Sequence, residues 1–206
     1  MTRKLADDIA RRRAAALAGH RGDASAARAY LHDPAPAVRA TALGALARAG
    51  GLTPDDLATG LADGAAAVRS RAAELAATVP GDCPPPLAPV LADPDSAVVE
   101  AAAWASGERQ PPEPGVVTVL AEVVTGHADP LCREAAVAAL GAIGDAAGLD
   151  AVLAATQDKP AVRRRAVLAL APFEGPVVEA AIERASGDRD WQVRQAAEDI
   201  ARQGDA

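Results

Sequence analysis

Along this chain apolar residues recur at three- and four-residue steps, behind a phrase that itself returns. Val38, Ala42, Ala45 and Leu46 follow Asp33-Pro34-Ala35-Pro36-Ala37 and fall on one face of a predicted helix. The phrase comes back as Asp63-Gly64-Ala65-Ala66-Ala67-Val68-Arg69 and as Asp93-Pro94-Asp95-Ser96-Ala97-Val98-Val99. It returns shortened as Asp129-Pro130-Leu131-Cys132-Arg133, then as Asp158 to Arg163 and Asp188 to Arg194. The positions equivalent to Arg39 are 39, 69, 99, 133, 163 and 194, separated by 30, 30, 34, 30 and 31 residues. A period of this length marks a repeat architecture.

Each period reads as two helices. An Asp at the start can accept backbone N–H bonds, and a following Pro suits the first helical turn. Gly50-Gly51 ends the first helix of the first full unit, and Thr53-Pro54 opens the second. The second helices are expected to turn Leu57 and Leu61, Leu87 and Leu91, Leu149 and Leu153, and Val178 and Ile182 inward. A pair this short cannot hide its apolar faces alone, so neighbouring pairs must supply the core. The expectation is an all-α fold, an α-solenoid (superhelix) of stacked antiparallel helix pairs over residues 1–206 as one domain. It comprises a degenerate leading hairpin at 3–31, repeats near 33–62, 63–92, 93–128, 129–157 and 158–187, and a capping helix at 188–203.

Composition supports helices. Half of the residues are hydrophobic but only 2% are aromatic, so the apolar content is Ala, Leu and Val. A net charge of −7 argues against general nucleic-acid or anionic-membrane binding. Cys83 and Cys132 are far apart and read as free thiols of a reducing cytoplasm, with a disulfide as the alternative. The N-terminus turns acidic at Asp7-Asp8, where a signal peptide would be apolar. No apolar run approaches the roughly 20 residues of a membrane span. Cytoplasmic placement is expected. Abundant Ala and Arg, with Lys only at 4 and 159, fit a GC-rich bacterial genome.

The phrase Asp-Pro-x-x-x-Val-Arg, with Ala three residues on and Ala-Leu behind it, resembles the short HEAT-like repeat named from bilin (phycobilisome) lyase subunits. The resemblance spans about residues 31–203. It implies first helices on the convex side, second helices lining the concave side, and service as an interaction scaffold. In similar repeats the arginine forms a ladder with the capping Asp and with backbone carbonyls of adjacent units. That assigns Arg39, Arg69, Arg133, Arg163 and Arg194 a structural role, with ligand contact as the alternative.

Candidate chemistry is sparse. Deoxyhypusine hydroxylases resemble this architecture but hold a di-iron centre through His-Glu pairs; His20, His32 and His127 are not followed by Glu. The three are too scattered for a histidine zinc site. HEAT-like DNA glycosylases use a basic face with aromatics, whereas this acidic chain offers Tyr30, Trp104, Phe173 and Trp191. No phosphate loop or nucleophile–histidine arrangement is legible. No enzyme, cofactor or metal is expected, and the partner is another protein or peptide. A lyase-like accessory enzyme is the alternative.

Two regions are candidate partner sites. At 93–128 the ladder is interrupted by Val99-Glu100, and four extra residues enter near Gly107–Gly115. Trp104 aligns with Gly44 and Glu74, an exposed position, and is either an anchor for a partner or a cover over the break. On the second helices, Asp55, Asp56, Glu122, Asp150, Glu179 and Glu183 escape the inward pattern. They would make an acidic groove for a basic segment, or else form ordinary solvated surface. Trp191 is expected to seal the end of the core.

Overall fold

The computed structural model describes residues 2–78 and 84–204, so the expectation for Cys83 lies outside the described residues. Among these the chain is helical with short connections and no strand. It divides into two compact units, Met1–Pro86 and Leu87–Ala206. The first holds α1 (Thr2–His20), α2 (Ala24–Arg28), α3 (Pro36–Arg48), α4 (Pro54–Leu61) and α5 (Ala66–Ala76). The second opens with a 3-10 turn at Ala88–Ala92, followed by α6 (Ser96–Glu108), α7 (Val116–Gly126) and α8 (Pro130–Ile143). It continues with α9 (Leu149–Ala155), α10 (Pro160–Ala169), α11 (Pro176–Ser186) and α12 (Trp191–Gly204).

Within each unit the first helices of successive pairs lie side by side. In the first unit α3 packs against α1 and α5; in the second, α6, α8, α10 and α12 follow one another. The second helices (α2 and α4, then α7, α9 and α11) pack onto this row. Each unit is therefore a stretch of α-solenoid. Val38, Leu43, Leu46, Leu57 and Val68 are fully buried in the first, and Val98, Val99, Leu120, Leu140 and Leu170 in the second. Each such side chain contributes roughly 1.5–3 kcal/mol when removed from water.

Local signals shape the connections. Thr53 and Asp56 form a reciprocal capping box at α4, with Pro54 at its first position. Gly50, at φ +70°, takes the left-handed turn after α3. Two expectations need correction. Leu87 and Leu91 are buried, but Leu91 lies in a 3-10 turn and Leu87 just before it, rather than on a helix. Pro84, Pro85, Pro86 and Pro89 cannot donate N–H bonds and bias their predecessors away from helix. In α9, Ala151, Val152 and Ala155 form the buried face, while Leu149 and Leu153 are only half-buried, as are Leu61 and Ile182.

The arginine phrase resolves into a repeated rung. Arg39 donates from Nε and Nη2 to Asp63, at 2.7 Å each, and from Nη1 to the Asp33 carbonyl at 2.8 Å. Arg133 does the same to Asp158 and the His127 carbonyl, and Arg163 to Asp188 and the Asp158 carbonyl. Arg11 on α1 reaches Asp33, extending the series into the leading hairpin. Arg69 and Arg194 bind the carbonyls of Asp63 and Asp188. The acceptor carboxylate belongs to the next pair and the carbonyl to the segment just before the arginine's own helix, so each rung joins neighbours. The Asp residues also accept backbone N–H bonds just ahead of the helix, as Asp33 does from Ala35 and Asp63 from Ala65.

A close contact between first helices complements the rungs. Gly19, Gly107 and Gly141 stand eight residues after positions 11, 99 and 133 of the ladder series. A Cβ on Gly19 would lie 2.6 Å from Ala45 Cα, one on Gly107 2.8 Å from Ala139 Cα, and one on Gly141 2.7 Å from Ala169 Cα. Those alanines all stand six residues after the next ladder position. Backbone meets backbone there. Gly141→Ala should destabilise the protein by about 1–3 kcal/mol despite the higher helix propensity of Ala, because the obstacle is main chain and cannot swing aside. Chemical denaturation checks it, and a gain in stability would contradict the packing.

The rungs also predict acid sensitivity. Hydrogen bonds from arginine hold Asp33, Asp63, Asp158 and Asp188 below the usual carboxylate range, against the opposite effect of burial. A depressed folded-state pKa gives stabilisation that is complete above the unfolded value, about 3.9, and is lost as pH falls below it. The melting midpoint should therefore be flat near neutrality and drop below about pH 4. Arg163→Ala, which removes the bidentate partner of the Asp188 carboxylate, should cost about 1–3 kcal/mol at pH 7. Its penalty should shrink in acid, as read by circular dichroism melts at several pH values.

Candidate functional site

The break in the ladder rearranges the second unit locally. Val99 is fully buried where the other pairs place arginine. Helix α6 runs on through Gly107 and Glu108, so the inserted residues emerge as the turn 109–115, which contains the cis Gln110–Pro111 bond. Arg109 is only 7% exposed and lies 3.5 Å from Glu113. Burial lowers the Arg109 pKa, with Glu113 opposing. The Glu113 carboxylate also accepts the Leu87 N–H at 2.7 Å, ahead of the 3-10 turn. The insertion is thus pinned to the start of its own unit.

Trp104 of α6 is 46% exposed. It lines a groove of about 610 Å³ between α6 and α8, together with Glu100, Glu108, Leu131 and Glu134. Arg165 of α10 closes one side, 3.6 Å from Glu134. The floor is small, formed by Gly107 and alanines of α8 such as Ala135 and Ala138. The structure thereby brings two of the sequence candidates, Glu100 and Trp104, into one groove on the first-helix side. Leu131 and Glu134 were not singled out from the sequence. A signal for Leu131 existed: it is 55% exposed at a position that is Ala37, Ala67, Ala97 and Ala161 in other pairs.

The second-helix candidates separate into two kinds. Asp56 is buried, accepts from Thr53 in the capping box and pairs with Arg28 of α2. It belongs to the structure, not to a groove. Asp55 is exposed on α4 and lines a separate cavity of the first unit with Arg28, His32 and Asp63. Glu122 on α7, Asp150 on α9, and Glu179 and Glu183 on α11 are exposed. No side-chain ion pair or hydrogen bond engages their carboxylates among the described residues. They do not line the α6/α8 groove. Nor do they line the grooves beside the rungs, which hold Thr125, His127 and Arg133, or Gln157, Arg184 and Arg189.

Charge is divided unevenly. The residues of the first unit include 9 acidic and 11 basic side chains, a net +2; those of the second include 19 and 10, a net −9. The acidity of the chain is a property of the second unit alone. Trp191 departs from expectation: it is the first residue of α12 and 65% exposed, so it does not seal the core. Val193, Ala196 and Ala197 pack into the core there instead.

Among the described residues, no group of three or more His, Cys, Asp or Glu side chains is placed to hold a metal ion. Cys132 is a buried free thiol whose Sγ donates to the Ser96 carbonyl, and burial raises its pKa. No helix of the described residues is long and apolar enough to cross a membrane. The pinned insertion gives a direct prediction. Glu113→Ala, which removes both the acceptor for Leu87 N–H and a partner of Arg109, should destabilise the second unit by about 1–3 kcal/mol. Faster amide exchange at Leu87 and Ala88 would register it.

A family model described as HEAT repeats matches residues 84–171 and 117–201, more than half of the chain. No curated protein sequence matches. The fold is similar to that of the Escherichia coli protein YibA, with a TM-score of 0.64 at 18% identity over 83% of this chain and 67% of that one. It is also similar to human deoxyhypusine hydroxylase solved with glycerol, with a TM-score of 0.50 at 20% identity over 94% of this chain and 78% of that one. Identities this low speak for fold alone. Repeat solenoids offer extended surfaces and often serve as interaction scaffolds. From the recurring phrase, the helix row and the matched residues together, the chain belongs to the HEAT-repeat family.

Proposed function

We propose that this protein is a non-catalytic interaction scaffold whose second unit receives a basic protein segment. The observation that carries this reading is the contrast between two sets of carboxylates. Those at the rungs are paired with arginine, whereas Glu122, Asp150, Glu179 and Glu183 are exposed and unpaired in a unit of net charge −9. Unpaired carboxylates of one sign attract a complementary segment and speed its encounter. The compact HEAT resemblance, which implies second helices on the concave side, supports that face as the meeting place.

Charge reversal tests it. Glu122→Lys, Asp150→Lys and Glu179→Lys combined should weaken binding of a fluorescein-labelled octa-arginine peptide by at least about tenfold in about 50 mM salt. The melting temperature should stay within about 2 °C, since exposed substitutions away from partners change stability little. Equal binding by the triple variant rejects the reading.

The compact repeat phrase also supports a second reading, an accessory or lyase-like role related to bilin lyase subunits. The α6/α8 groove beside Trp104 is the place for a flat ligand in that case. Quenching of Trp104 fluorescence by an open-chain tetrapyrrole, in a Trp191→Phe background, would favour it over the scaffold.

A further inference from the structure

The described chain leaves seven large hydrophobic side chains exposed, and five of them fall on two surfaces. One is the α6/α8 groove with Trp104 and Leu131. The other is the outer face of α1, where Leu5 is 61%, Ile9 60% and Leu17 40% exposed. Leu5, Ile9, Arg13 and Leu17 follow at four-residue steps, and all four are exposed. Such a row forms a single ridge along a helix. The opposite face of α1, with Ala15 and Ala18 buried, packs on α3.

The two surfaces match in length. The α1 row from Leu5 to Leu17 spans about 18 Å at the helical rise, and the groove wall from Leu131 to Ala142 about 17 Å. A groove between two helices with a floor of Gly107, Ala135 and Ala138 admits a third helix ridge closely. They also match in charge. Arg13 stands within the row and Lys4 beside its start, and Arg12 lies one turn on from Ile9, partly engaged by Thr41. Glu100, Glu108 and Glu134 rim the groove, with Arg165 countering Glu134 alone. The acidic residues of α1 stay off the ridge: Asp8 pairs with Arg11, and Asp7 lies across the helix from Leu5.

We infer that α1 of a second copy of this chain docks in the α6/α8 groove, with Trp104 and Leu131 against Leu5 and Ile9 and the glutamates against Lys4 and Arg13. This contact is independent of the second-helix carboxylates. It is heterologous, because the ridge and the groove are different surfaces. Each copy therefore offers one of each, and association runs head to tail.

Sedimentation velocity on the full chain between about 5 and 200 µM tests it. The wild type should sediment progressively faster as concentration rises, and the effect should weaken with added salt. A groove variant (Trp104→Ala, Leu131→Ala) and a ridge variant (Leu5→Glu, Ile9→Glu) should each stay monomeric. Mixed in equal amounts, they should form a 1:1 complex and nothing larger, since only one competent ridge and one competent groove remain. All four substituted positions are exposed, and circular dichroism confirms that the variants fold. Should a truncated variant unfold, Glu100→Lys and Arg13→Glu replace it; each alone should weaken association at least about tenfold, and the two mixed should recover it. A wild type that stays monomeric, whether the groove is idle or takes a foreign basic helix, overturns the inference. So does a groove variant that still associates, or a mixture that does not pair.

Discussion

Each helix pair in this protein is held by what its neighbour covers. Ala, Leu and Val provide modest apolar area per residue, and an isolated thirty-residue hairpin cannot offset the entropy of its own ordering. Stacking solves that problem only if the first helices come very near one another. Gly19, Gly107 and Gly141 make this possible by letting one helix backbone rest against an alanine of the next. The scarcity of aromatic residues follows from the same constraint: a large ring in that seam would hold the helices apart.

The rungs act on the same boundaries from a different side. A bidentate pair between arginine and aspartate fixes direction as well as distance, which a contact among methyl groups does not. Arg39–Asp63, Arg133–Asp158 and Arg163–Asp188 therefore set the register of neighbours that the apolar seam alone would leave free to slide. At Val99 the arrangement is exchanged for another. A buried valine fills the ladder position, and Glu113 of the insertion ties the turn after α6 to Leu87. Trp104 stands exposed on the same helix, five residues further on.

Much of the fold was legible in the amino-acid order because a repeated unit states its pattern several times. The recurring Asp-led phrase placed α3, α5, α6, α8, α10 and α12, and Thr53-Pro54 placed the start of α4. The second helices were harder to read. They are short, so Ala151, Val152 and Ala155 could displace Leu149 and Leu153 from the inner face of α9 without disturbing the apparent spacing. Around Leu87, prolines overrode the apolar pattern. The surface was the least legible. Nothing in the spacing of Glu100 and Trp104 reveals that Leu131 and Glu134, a whole pair later, stand beside them. Asp56 resembles its exposed neighbour Asp55 in every local respect, and only Arg28 and Thr53 distinguish the two.

The unequal division of charge between the units reaches further than the sum of −7 suggests. A molecule with a nearly balanced portion and a strongly anionic one does not tumble toward a cationic body indifferently. Its approach is oriented before any surfaces touch, because the field of the anionic portion decays over about 8 Å at physiological ionic strength. Whole-chain isoelectric behaviour then understates the charge density of the second unit, because the near-neutral first unit dilutes it in the sum.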